Sequence, residues 1–278
     1  MNNSMHERLL QGLAGSAAAA LLLSGVAAAQ LPAVAPAGPP TPKAAAPIDL
    51  TGYWVSIVTQ DWLYRMTVPA KGEYIGVPIN LAAKQFADAW SPAADIALGQ
   101  QCKAYGAGAV MRIPERIHIT WQDDNTLRVD TDAGMQTRLL HFNPSADDTA
   151  APASLQGLSV ASWEFAVGPN GGATDPALRG PAALPSPAQL KAHEGSLKVV
   201  TTHVLPGYLR KNGIPYGTQM TMLEYWQKYL DPQGRDWLFI ATELDDPQYL
   251  QSAYDVTPIF RREPDGSKFN PSPCSLTQ

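Results

Sequence analysis

Arg116-Ile117-His118-Ile119-Thr120-Trp121 is the stretch that decides the fold. Ile117, Ile119 and Trp121 fall on one side of an extended chain, the period-two signature of a half-buried strand. Asp123-Asp124-Asn125 follows as turn chemistry. Thr126-Leu127-Arg128-Val129-Asp130-Thr131 alternates again, with Leu127 and Val129 inward. Asp132-Ala133-Gly134 turns the chain, and Met135 to Phe142 returns. These three runs predict an antiparallel meander.

Similar short runs continue in both directions. Strands are expected over 52–58, 63–68, 158–165, 196–203, 219–229, 235–243 and 254–262, and β-type pattern resumes at Ala107. Asp231-Pro232-Gln233-Gly234 reads as a hairpin turn. A short helical insertion is expected near 80–101, where Asn80 caps one piece and Ser91-Pro92 starts another. Many short strands between turn signals give an all-β chain with minor α, closed as one antiparallel barrel over 48–278.

Composition bounds the function. The 278 residues are 45% hydrophobic and 16% charged, enough apolar matter for a sizeable core. A net charge of -5 argues against a nucleic-acid partner. At the N-terminus, His6 and Arg8 precede an apolar stretch from Leu13 to Leu23, and Ala27-Ala28-Ala29 supplies small residues for cleavage. Residues 1–29 therefore read as a secretory signal peptide, with a periplasmic or secreted product and no membrane span after cleavage. Residues 30–47, nearly all Ala and Pro, read as a spacer. The Gly/Pro/Ala-rich stretch 168–194 reads as a flexible insertion. In an oxidising compartment the only two cysteines, Cys102 and Cys274, are expected to pair.

Several motifs together resemble an uncharacterised family of secreted bacterial β-rich proteins. They are Leu155-Gln156-Gly157 leading into Ser159-Val160-Ala161-Ser162-Trp163-Glu164, then Leu197-Lys198-Val199-Val200-Thr201-Thr202, Leu209-Arg210-Lys211-Asn212-Gly213, Met222-Leu223-Glu224-Tyr225 and Asp246-Pro247-Gln248-Tyr249-Leu250. The family pattern is W-x-G-x-S, L-V-V-x-T-T and D-P-x-Y; Leu155 stands where many relatives carry Trp. The resemblance implies secretion and a β-rich fold, and no chemistry. Gly52-Tyr53-Trp54 is similar to the G-x-W that opens lipocalin-like barrels.

No nucleophile elbow, phosphate loop or paired-histidine spacing occurs, so no cofactor and no metal site is expected. The candidate acid–base residues are His118, Glu164 and His203, on or at the ends of strands. The candidate ligand-binding residues are Trp54, Trp62, Tyr64, Tyr105 and Tyr208, with Arg138, Arg210 and Glu224. Aromatics lining a barrel suit a small hydrophobic or aromatic molecule, and Arg65 or Arg210 at its mouth suits an acidic or phenolic group. Two alternatives stay open: a cofactor-independent lyase, isomerase or hydrolase on the same barrel, and a structural or interaction protein of the cell envelope.

Overall fold

The structure, a computed structural model, describes residues 39–165 and 195–277. The signal peptide expected over 1–29, the first part of the 30–47 spacer and the whole 168–194 insertion lie outside the described residues.

The strands, in chain order, are β1 (Gly52–Ser56), β2 (Arg116–Asp123), β3 (Thr126–Thr131), β4 (Thr137–His141), β5 (Leu158–Phe165), β6 (Gly195–Thr202), β7 (Gly207–Tyr208), β8 (Pro215–Tyr216), β9 (Thr221–Leu230), β10 (Asp236–Asp245), β11 (Tyr254–Val256) and β12 (Ile259–Glu263). The expected meander is present: β2 pairs with β3 and β3 with β4, both antiparallel, with Ile119 opposite Val129. The sheet then runs through β5, β6 and β9 to β10, and back through β12 and β1 to β2. Among the described residues this ring of nine strands is closed, because β10 pairs with β9 along one edge and with β12 and β11 along the other. Closure removes the open edges that would otherwise invite pairing with another chain.

One pair in the ring, β4 with β5, is parallel. A parallel pair needs a crossover rather than a hairpin. The chain from Phe142 to Gly157 supplies it and carries the short helix α4 (Ala146–Ala150). Its start is fixed by a reciprocal cap, in which Ser145 Oγ accepts from the Asp148 amide and Asp148 accepts from the Ser145 amide.

The barrel interior is filled. Trp54, Ile117, Ile119, Leu197, Trp226 and Phe260 are among its fully buried side chains, each worth about 1.5–3 kcal/mol of burial. Above this apolar layer sits a polar one of Arg138, Ser159, Thr201, Glu224 and Thr242, all buried. Among the described residues, packing inside the ring thus makes the lumen core. Val110 and Met111 belong to the same core, and Met111 lies with Glu224 and Thr242 toward one end of the barrel.

The residues beyond that end form a cap. Helices α1 (Trp62–Met66), α2 (Leu81–Ala89) and α3 (Pro92–Ala97) are joined there by 3-10 turns at Gln101–Tyr105 and Val110–Arg112. Asn80 caps α2 by accepting from the Ala83 amide, and Pro92 occupies the first turn of α3, as the sequence predicts. Two expectations fail. The run expected as a strand over 63–68 begins as helix, which ends at Met66, and the chain from Ala107 is a turn leading into the 3-10 turn at Val110–Arg112. Short apolar runs do not separate strand from helix by period alone. The cap has its own core, including Tyr74, Leu209, Ile214, Tyr216 and Leu250.

Residues 41–47, read as spacer, lie against the barrel. Trp163 Nε1 donates to the Pro42 carbonyl at 2.8 Å, the Lys43 amide donates to the Asp124 carbonyl at 3.1 Å, and Pro47 and Ile48 are buried. Cys102 and Cys274 form a disulfide with 5.2 Å between their Cα atoms, tying the C-terminal tail to the cap.

Candidate functional site

The main cavity among the described residues lies outside the barrel, between the cap and the C-terminal tail. Its volume is about 280 Å³, just under the ~300–1,000 Å³ usual for drug-sized ligands. Helix α1 contributes Tyr64, Arg65 and Met66; the two 3-10 turns contribute Tyr105 and Arg112; the loop between β7 and β8 contributes Arg210 and Lys211; the tail contributes Ser272, Pro273 and Ser275. Gly134 makes the wall possible: it holds φ +79° and lies so close to the Tyr105 ring that an added Cβ would come within 2.3 Å of it.

Positive charge dominates the lining. The guanidinium of Arg112 donates to Asp61 Oδ2 at 2.7 Å and to the Tyr254 hydroxyl. Arg210, with a side chain only 3% exposed, donates through Nη1 to the Ile75 carbonyl at 2.8 Å and lies over the Tyr64 ring at 4.8 Å. Its Nη2 reaches Asp61 Oδ2 at 3.4 Å, and its Nε has no hydrogen-bond partner among the described residues. Arg65 donates through Nε to the Arg112 carbonyl at 2.6 Å. Burial, and then the neighbouring Arg112, bring Arg65 down to about 10, which leaves it charged at neutral pH. Lys211 Nζ donates to the Tyr105 hydroxyl at 2.9 Å. Asp61, at φ +50° just before α1, is the carboxylate that bridges Arg112 and Arg210.

Glu115 sits behind this wall, between Pro114 of the lining and the start of β2. It is 5% exposed, and neither carboxyl oxygen has a hydrogen-bond partner among the described residues. Burial, reinforced by the Asp132 carboxylate, pushes it well above the usual carboxylate range, against the pull of Arg65, Arg138 and Lys211. Between its unfolded and folded pKa, the folded protein holds a proton that the unfolded chain has released. Stability therefore falls as pH rises through that window, and is unaffected by this group below the unfolded value of 4.5. Glu115→Gln should remove that slope, which is at most about 1.4 kcal/mol per pH unit. Urea unfolding of both proteins from pH 4 to pH 8 tests this: the variant should gain on the wild type as pH rises, and parallel curves would refute it.

The structure gathers some of the sequence-predicted residues and scatters others. Tyr64, Tyr105 and Arg210 meet at the cleft. Trp54 is buried in the barrel core, donating from Nε1 to the Leu50 carbonyl at 2.9 Å. Trp62 is 65% exposed on α1. Tyr208 is buried and donates to Asp95 Oδ2 at 2.6 Å. Arg138 and Glu224 pair with each other inside the barrel.

The three acid–base candidates do not converge. His118 stacks flat on Tyr53 on the outer face of the barrel, ring centroids 3.9 Å apart, and burial lowers its pKa. Glu164 lies half-exposed on β5 with Lys198 Nζ 3.8 Å away. His203, exposed and at φ +56°, shares a 2.8 Å hydrogen bond between its Nδ1 and Thr202 Oγ1. None of the three lines the cleft.

No protein-family model, curated protein or solved structure matches the chain.

The site residues not singled out as ligands from the sequence, Asp61, Arg112, Glu115 and Lys211, come from turns and loops. No period marks such positions. Lys211 does follow Arg210 directly, and that basic pair between short apolar segments is the one local signal.

Proposed function

We propose that this is an exported protein that binds a small hydrophobic or aromatic molecule, and that it does so in the cleft between cap and tail rather than in the barrel. The observation that carries the reading is the convergence of Tyr64, Tyr105 and Arg210 on one cavity beside a barrel whose own interior is filled. Met66, Ile113 and Leu209 supply apolar wall between the tyrosines and the charges, the mix of surfaces a small flat ligand needs. The disulfide supports export, since such bonds persist outside reducing compartments. Among the described residues no helix is long and apolar enough to cross a membrane.

Titration calorimetry with a panel of monocyclic and bicyclic aromatic compounds tests the reading. Tyr64→Ala removes a half-buried wall residue outside both cores and should weaken binding by about tenfold, the worth of one aromatic contact. Absence of binding across the panel, or binding indifferent to Tyr64→Ala, would reject the cleft as the site.

Dispersal of His118, Glu164 and His203 removes the observation that would favour an acid–base enzyme on the barrel over a binding protein.

A further inference from the structure

The cleft is charged in a way that a neutral aromatic ligand does not require. Arg65, Arg112, Arg210 and Lys211 line it, and Asp61 is the carboxylate set against two of them. Burying guanidinium groups is costly unless each finds an anion or a full set of acceptors. Arg210 has neither in full. Along one edge of its fork, Nη2 is 3.4 Å from Asp61 and Nε is unpartnered although the side chain is almost wholly buried. That edge has the spacing that receives two oxygens of one planar carboxylate.

Asp61 reaches solvent where the arginines do not: its side chain is 34% exposed, against 9% for Arg112 and 3% for Arg210. A single Asp61 oxygen, Oδ2, serves both Arg112 and Arg210.

We infer that the cleft is a carboxylate receptor, that Asp61 is its resident counter-ion, and that an aromatic carboxylate binds by taking the Nε and Nη2 edge of Arg210 together with Arg112 while Asp61 swings out to solvent. A carboxylate is assigned over a phosphate because the group already seated between the two arginines is a carboxylate. This rests on the proposed ligand-binding reading of the cleft and specifies the ligand's charge and the groups that read it.

The test uses the mature disulfide-bonded protein and four probes: benzoate, its neutral analogue benzyl alcohol, phenyl phosphate and inorganic phosphate. Benzoate should bind at least about tenfold tighter than benzyl alcohol, as expected for charge-assisted hydrogen bonds, and should weaken as salt is raised. Asp61→Asn keeps a residue that tolerates the left-handed backbone and removes the competing charge. It should tighten benzoate several-fold, and by more than it changes benzyl alcohol. Arg210→Lys keeps the charge and loses the fork, so benzoate should weaken by about tenfold and its preference over benzyl alcohol should shrink. Far-ultraviolet circular dichroism and melting confirm that each variant is folded.

If benzoate and benzyl alcohol bind equally, or Asp61→Asn leaves benzoate unchanged, the carboxylate assignment falls and the cleft remains an aromatic site. If phenyl phosphate or inorganic phosphate binds tighter than benzoate, the assignment to carboxylate is overturned in favour of a phosphate. If no probe binds, both this assignment and the reading beneath it fail.

Discussion

Arg138→Met is expected to cost about 3–5 kcal/mol of stability, and the double variant Arg138→Met/Glu224→Leu to recover most of that loss. The two groups lie inside the barrel at 0% and 1% exposure. Their contact is two-pronged, with Nη1 donating to Oε1 at 3.1 Å and Nη2 to Oε2 at 2.6 Å. Nη2 also donates to Thr201 Oγ1 at 3.3 Å, and Thr201 is linked to Ser159 at 2.8 Å. A methionine at 138 would fill much of the space and leave the Glu224 carboxylate without its counter-charge in a dry interior. The carboxyl must then be protonated or draw in water, and either costs more than the pair itself contributes. Replacing both groups by apolar side chains removes the desolvation of both charges as well as their attraction, so the net change is small. Urea unfolding of the wild type, the single variant and the double variant measures the difference. A single variant no less stable than the double would mean that the two side chains are solvated, and that the barrel is open at this end.

That pair also shows where sequence reading reaches its limit. Arg138 and Glu224 stand 86 residues apart, and both read as ligand-binding because a charged residue on a strand inside a barrel suggests a polar cavity. Nothing local says that the ring will bring them opposite each other. The strands themselves were legible, because alternation at 116–121 and 126–131 follows from burying one face of a two-sided ribbon. Closure was legible as a class, through the number of short strands. The cap was not. Residues 63–68 are apolar enough for a strand, yet the chain is helix as far as Met66, because so short a run does not fix its own period. The cleft is legible in part for the same reason. Tyr64, Tyr105 and Arg210 stand out in the sequence only as aromatic and cationic types, and the fold brings them to one cleft. Asp61 and Glu115 matter through what surrounds them, an arginine pair in one case and a buried neighbouring carboxyl in the other. Those surroundings come from segments as much as 149 residues away in the chain, as with Asp61 and Arg210.

Removing the disulfide with Cys102→Ala/Cys274→Ala is expected to lower stability by as much as about 5 kcal/mol and to cost the cleft its ligand affinity as well. The first figure follows from the sequence separation of 172, because a cross-link that closes so long a loop removes much of the entropy of the unfolded chain. The second effect follows from where the bond sits. Ser272, Pro273 and Ser275, on either side of Cys274, form one wall of the cleft. Without the bond the tail keeps its other anchors. The Gly134 amide donates to the Ser272 carbonyl at 2.9 Å and the Ser272 amide to the Asp132 carbonyl at 2.8 Å, while the Ser275 amide donates to the Tyr105 hydroxyl at 3.0 Å and Leu276 is buried. Each of those hydrogen bonds contributes about 0.5–1.5 kcal/mol net. Fixing each tail residue costs roughly 1–2 kcal/mol in backbone entropy. Three such bonds do not by themselves offset the cost of ordering Ser272 to Leu276, so the cross-link decides whether the wall stands. Two measurements separate the effects. Urea unfolding of the double-alanine variant gives the stability loss, and an unchanged midpoint would refute the entropic estimate. Benzoate titration of the same variant, below its unfolding transition, reads the wall alone. Affinity should drop while the barrel stays folded, and undiminished binding would place the site away from the tail.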